Sequence, residues 1–287
     1  MHAPTFARGR PPPPDGPPRI HSGRASAYQG PALFFATKAA APGMSGAMFL
    51  LERNDAYARL TLNRPEARNA IPAAGWGELS AALGRVVESD VRFLVVTGAD
   101  RTFCAGADLG DFAAMRDDEA AVARFREDMR TALDGLRGLA IPTIALIEGH
   151  CFGAGVALAM ACDLRIAALD ARFAITPAKL GIGYPQEDVH RLVELVGPGQ
   201  AARILFTAEI IYCEEAKAIG LVDAHMPREK ALFEAMIAND RESLLMLKEA
   251  IARAARGVRK DPEMDARFDA LIAGEEMARR LEALRRK

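Results

Sequence analysis

The 287-residue sequence contains two strand-like runs that end in residues too small to act through their side chains. The first, VRFLVVTG, leads into TFCAGADL, where Ala105, Gly106 and Ala107 stand at the mouth of the strand. The second, TIALIEG, leads into HCFGAGVALAMACD, where Gly153, Ala154 and Gly155 open a segment of helical character. Small residues leave backbone N–H groups open to a ligand oxygen, and the first turn of a helix adds unpaired N–H groups and the positive end of its dipole. Two such loops facing one pocket would form an oxyanion hole, which stabilises negative charge developing on a carbonyl oxygen. Either loop alone is more simply explained by tight strand–helix packing. The strand–GxG–helix pattern of the second also begins a dinucleotide fingerprint, but Leu158 stands where its third glycine belongs, and no GK[ST] follows for a phosphate loop. Cys104, beside the first loop, has no histidine close in sequence to activate it as a nucleophile.

The elements that must hold these loops follow from hydrophobic periodicity. MFLLERNDAYARLTLNRP reads as a hairpin turned at Asn54-Asp55 and ended by Pro65. AAGWGELSAALGRVVES has helical spacing, and DEAAVARFREDMRTALDGLRGL is an amphipathic helix with Val122, Phe125, Met129 and Leu133 on one face. VALAMACD and DVHRLVELVG are further helices, LRIAA is a strand, and everything beyond Pro227 is helical. The fold class is therefore α/β with an all-helical C-terminal extension. A net charge of −1 excludes a broad field for nucleic acid or membrane surfaces, and no apolar run reaches the roughly 18 residues of a membrane span. The four cysteines are scattered without a CxxC pair, which indicates reduced thiols, no metal site and a cytoplasmic protein. Residues 1–43 hold nine of the seventeen prolines, five basic residues and one acid, Asp15. Such a segment cannot bury enough apolar surface to offset its ordering entropy and is expected to be disordered. A start assigned too early, ahead of Met44 and Met48, accounts for it; a transit peptide or a Pro-rich docking tail are the alternatives.

Taken in order, LTLNRPEARNAI, VVTGADRTFCAGADL, IEGHCFGAGVALAMACDLRIA, ARFAITPAKLGIGYP and EEAKAIGLVDAHMP resemble the crotonase superfamily, the enoyl-CoA hydratases and isomerases, almost continuously over residues 49–227. The resemblance implies a spiral of ββα turns over residues 44–227 and a C-terminal helical region, residues 228–287, that assembles trimers or dimers of trimers. It implies an acyl-CoA thioester substrate and no separate cofactor, coenzyme A being part of the substrate. The donors of the oxyanion hole fall on the N–H groups of Ala107 and Ala154, with Ala105, Gly106 and Asp108 beside them. Arg101 matches a basic position that meets CoA phosphate, Arg68 is a second candidate, and Arg285, Arg286 and Lys287 could reach a neighbouring subunit's ligand.

The departures concern acids. A hydratase of this family holds its water between two glutamates, and the corresponding positions here are Ala157 and Pro177. A third acidic position, used by isomerases, is Pro185. None of these can take a proton, so two-glutamate hydration does not carry over. Glu187 and Asp188 follow immediately, at the start of a helix, and are the candidates for proton transfer; helix capping is the alternative for Asp188. Tyr184 and His190 are further proton carriers in the same loop, whereas Asp163 and Glu148 are read as structural. The chemistry expected is stabilisation of a thioester enolate, in a hydratase, an isomerase or a decarboxylase; a silent acyl-CoA-binding protein is the rival from another class.

Overall fold

The computed structural model describes residues 47–286, so the leader, Met44 and Lys287 lie outside the described residues. Strands β1 (Phe49–Arg53) and β2 (Tyr57–Leu62) form the expected antiparallel hairpin. Its turn is held by Asn54 Oδ1, which accepts from the N–H groups of Ala56 (2.9 Å) and Tyr57 (2.8 Å). Helix α1 (Gly75–Val87) leads to β3 (Phe93–Gly98), after which come the short α2 (Leu109–Met115) and the long α3 (Glu119–Arg137). Then follow β4 (Thr143–Ile147), β5 (His150–Phe152), α4 (Ala154–Ala161), β6 (Leu164–Ala167), β7 (Arg172–Ala174) and α5 (Gln186–Thr207). The chain finishes with β8 (Ile211–Tyr212), α6 (Cys213–Ala218), β9 (Ala224–His225), α7 (Glu229–Ala238), α8 (Arg241–Ala255), α9 (Pro262–Ala273) and α10 (Glu275–Arg285).

Two sheets result. The larger has the order β1-β2-β3-β4-β6-β9 and is parallel from β2 onward; the smaller is β5-β7-β8. FLVVTG is a continuous apolar run because both faces of β3 are covered. Leu94 and Val96 join one core cluster with Trp76, Leu79 and Leu83 of α1 and Leu133 and Leu136 of α3. On the opposite face Phe93 stacks on Tyr57 at 5.0 Å, and Phe233 of α7 closes over both. Each of these large side chains is worth about 1.5–3 kcal/mol when fully buried, so the strand that aims the first loop is firmly fixed.

Local differences from expectation have simple causes. Val122, in the first turn of α3, is exposed, and Phe125 is only half-buried: it packs at the margin of the core and meets Phe112 of α2 edge-on at 5.3 Å. HCF is a strand, β5, paired with β7 in the smaller sheet, although three residues are too few to show a period. In α5 the helical backbone breaks at Gly197 (φ 75°), ahead of Pro198, where the sequence pattern also stops.

Candidate functional site

The two small-residue loops are joined backbone to backbone. The Cys104 N–H donates to the His150 carbonyl (2.9 Å), and the Phe152 N–H donates to the Cys104 carbonyl (2.9 Å), a parallel bridge between loop and strand. Within the first loop, the Ala105 N–H donates to Arg68 O (3.0 Å) and the Asp108 N–H to Ile71 O (2.9 Å), while Gly106 O accepts from the Ile71 N–H (2.8 Å). The Gly106 N–H reaches the Cys104 sulfur at 3.4 Å. Only the N–H of Ala107 in this run makes no hydrogen bond among the described residues. Gly106 has φ 112°, and a Cβ on it would stand 3.1 Å from Phe152 O and 3.7 Å from Ala154 N. Glycine is thus required both for the turn and for the approach of the second loop.

In the second loop the Gly153 N–H donates to Ala174 O (2.8 Å), and Gly153 itself adopts φ 49°, ψ −116° as the residue ahead of α4. Its carbonyl accepts from the Val156 N–H (3.0 Å), the Ala157 N–H (3.3 Å) and the Tyr184 hydroxyl (3.1 Å). The Ala154 N–H, at the first position of α4, is unpaired among the described residues. Ala107 and Ala154 are both half-buried. Two open backbone donors therefore lie where the loops meet, with the positive end of a helix behind one of them, an arrangement that can bind an oxyanion.

A polar clasp, which the sequence reading missed, holds the first loop. Asn69 is fully buried at φ 56°, a left-handed conformation that asparagine tolerates. Its amide donates to the carbonyls of Ala99 (2.9 Å) and Thr102 (2.6 Å), and its Oδ1 accepts from the Arg64 N–H (2.9 Å). Arg64 in turn donates to Asp108 Oδ2 (2.6 Å), and Asp108 Oδ1 accepts from the Gly110 N–H as the cap of α2. Both hydrogen bonds hold the Asp108 carboxyl below the usual carboxylate range, so its charge is spent inside the loop. In NRPEARNAI, Asn69 stands between Arg68 and Ala70 as in any polar turn, and no local pattern marks its role. Asn69→Ala removes three part-buried hydrogen bonds and places alanine at a positive φ, and is expected to lower stability by about 3 kcal/mol. A denaturant titration of the variant, compared with the parent, checks the figure.

Among the acids, Asp188 does not cap α5: Pro185 stands at the cap, and no side chain caps that end. Asp188 is 4 % exposed and turned inward, where its Oδ1 accepts from Arg130 of α3 at 3.0 Å while Oδ2 has no partner among the described residues. Burial pushes its carboxyl up, the Arg130 guanidinium pulls it down, and burial wins. Glu187 and His190 are exposed, His190 lying 3.3 Å from Glu194. Tyr184 is the polar side chain that reaches the second loop. Ala157 is buried in α4, and Pro177 opens a 3-10 turn over residues 177–180. Asp163 fastens β4, accepting from the Thr143 N–H (2.7 Å) and facing Lys248 at 2.8 Å.

Of the basic candidates, Arg101 is exposed and shared between Asp170 (3.4 Å) and Glu148 (3.9 Å). Arg68 is exposed, and no ion pair engages it among the described residues. Burial, with the charges of Arg172 and Arg68, holds His150 below the ordinary imidazole range. All four cysteines are buried and free; burial pushes the thiols of Cys104 and Cys162 up to about 12, so Cys104 is no nucleophile. Among the described residues no group of acids, histidines and cysteines could hold a metal ion, and no helix is long and apolar enough to cross a membrane.

A sequence model of the enoyl-CoA hydratase/isomerase family matches residues 52–281. The chain is 37% identical to a crotonyl-CoA hydratase of Syntrophomonas wolfei, over 64% of this chain and 71% of the relative. It is 32% identical to a short-chain-enoyl-CoA hydratase of Clostridium acetobutylicum, over 79% of this chain and 88% of that one. A crystal structure of an enoyl-CoA hydratase from Bacillus anthracis superposes with a TM-score of 0.75 at 30% identity, covering 83% of this chain and 96% of that one.

Proposed function

Because the chain belongs to the enoyl-CoA hydratase/isomerase family, we propose that it binds an acyl-CoA thioester with the carbonyl oxygen between the N–H groups of Ala107 and Ala154. The observation that supports this most directly is that these two donors, at the meeting of the two loops, have no partner among the described residues. As a proton leaves or reaches the carbon next to the thioester, charge moves onto that oxygen, and the two fixed donors stabilise the enolate more than the ground state. Asp188 is the proposed proton-transfer group, because its carboxyl is buried, raised in pKa and open at Oδ2. Exposed Glu187 is its alternate. Arg68, exposed and engaged by no ion pair among the described residues, is more available than Arg101 to take a CoA phosphate. The apolar groove of about 480 Å³ between α8, α9 and α10, which exposes Phe268, Ile272 and Leu284, is the proposed surface for self-association into trimers.

With Ala157, Pro177 and Pro185 at the acid positions of relatives, one carboxyl remains where hydration uses two. That favours double-bond isomerisation or decarboxylation over hydration. Calorimetry with acetyl-CoA is expected to give binding at micromolar to sub-millimolar strength, and absence of heat with folded protein would reject the assignment. A panel of enoyl-, β,γ-unsaturated and carboxyacyl-CoA thioesters, followed by product analysis, then separates the reactions. Fast loss of the conjugated absorbance of crotonyl-CoA would reinstate hydration. No turnover on any member, with binding intact, would leave a carrier of acyl-CoA.

A further inference from the structure

The peptide bond joining Gly153 to Ala154 supplies two groups at once: the carbonyl that Tyr184 grips and the N–H assigned above to the thioester oxygen. A trans peptide holds its C=O and N–H in one plane pointing opposite ways, so fixing the oxygen aims the hydrogen. Two of the three donors on that carbonyl, the N–H groups of Val156 and Ala157, come from α4 itself, as at any helix start. The third comes from outside the helix, from the loop before α5, 31 residues along the chain. Gly153 offers little resistance of its own to rotation of this peptide, since its φ of 49° and ψ of −116° lie where only glycine moves freely. The tyrosine is therefore the restraint that another element imposes on the plane.

We infer that Tyr184 is a positioning residue of the oxyanion hole: by donating to the Gly153 carbonyl, its hydroxyl locks and polarises the Gly153–Ala154 peptide and strengthens the Ala154 N–H toward the thioester oxygen. The physical basis is the mutual polarisation of hydrogen bonds in series, here O–H to C=O and, across the same peptide, N–H to substrate oxygen. Burial, with the negative charge of Asp188, pushes the Tyr184 phenol well above its ordinary value, so the hydroxyl keeps the proton it must donate. Tyr184 packs against the core, and its ring would remain in Tyr184→Phe with only the hydroxyl removed.

The inference rests on the assignment of Ala154, and the test separates the two. Acetyl-CoA labelled with carbon-13 at the thioester carbonyl is bound to the full chain and followed by isotope-edited infrared spectroscopy. The parent protein is expected to move the carbonyl stretch to lower frequency, and Tyr184→Phe to move it about 10–30 % less far. Affinity should change little, while kcat on the member of the acyl-CoA panel that turns over falls about tenfold at near-constant KM, the size of one hydrogen bond made stronger in the transition state. No shift in the parent overturns both the hole and the tyrosine's part in it. An equal shift in parent and variant overturns the inference alone. A fall in kcat with the shift unchanged would put the hydroxyl on the substrate, and a variant that fails to fold would give it a role in stability; either result overturns the inference.

Discussion

Ala154→Pro is expected to lower turnover by about a hundredfold or more while leaving the melting temperature close to that of the parent. Loss of one donor from an oxyanion hole typically removes about 3 kcal/mol of transition-state stabilisation. Proline has no N–H, and its ring would stand where the hydrogen had pointed. The fold should tolerate the change, because Ala154 is the first residue of α4, where proline's fixed φ is already helical and no intrahelical hydrogen bond is lost. Steady-state kinetics beside a thermal melt is the measurement. Full activity in a folded variant would remove Ala154 from the site.

Asp188→Asn is the second large effect, a loss of roughly two to four orders of magnitude in rate. Glu187→Gln, by contrast, should turn over like the parent, since that side chain is exposed. Stability separates a catalytic from a structural carboxyl. The folded-state pKa of Asp188 lies above the ordinary 3.8 because burial outweighs Arg130. A group whose pKa is raised on folding binds more protons when folded, so its contribution to stability is full at low pH and is lost as pH rises from that ordinary value through the raised one. At neutral pH the ionised carboxyl is held at a cost that asparagine avoids, and Arg130 keeps Asp134 at 3.1 Å. Asp188→Asn should therefore melt within a few degrees of the parent at neutral pH, and its stability should depend less on pH between mildly acidic and neutral conditions. A steep fall in melting temperature together with unchanged specific activity would make Asp188 structural.

The strands and helices flanking the site were legible because their patterns are long. FLVVTG opens on four apolar residues, and its end marks the first loop; the small residues of CAGAD and FGAGV can offer a ligand only their backbone. Three things were not legible. The three-residue β5 is shorter than any period and exists because β7 and the Cys104 bridge supply its partners. The inward turn of Asp188 depends on an arginine 58 residues earlier, on α3, which no local pattern encodes. The αL backbone at Asn69 looks like any turn in sequence, whereas its side chain closes three hydrogen bonds across the loop. Pairings that span the chain belong to the fold rather than to the segment.

The burial of every cysteine also makes the chain a clean host for site-specific chemistry. With Cys104, Cys151, Cys162 and Cys213 all enclosed, and with each thiol's pKa pushed up by burial, maleimides and aromatic disulfides find no native target on the folded protein. A cysteine introduced at exposed Glu187 would be the sole reactive thiol, and a fluorophore or spin label attached there would sit one residue from Asp188 without any background to subtract. Occupancy by acyl-CoA could then be read optically, with no turnover required.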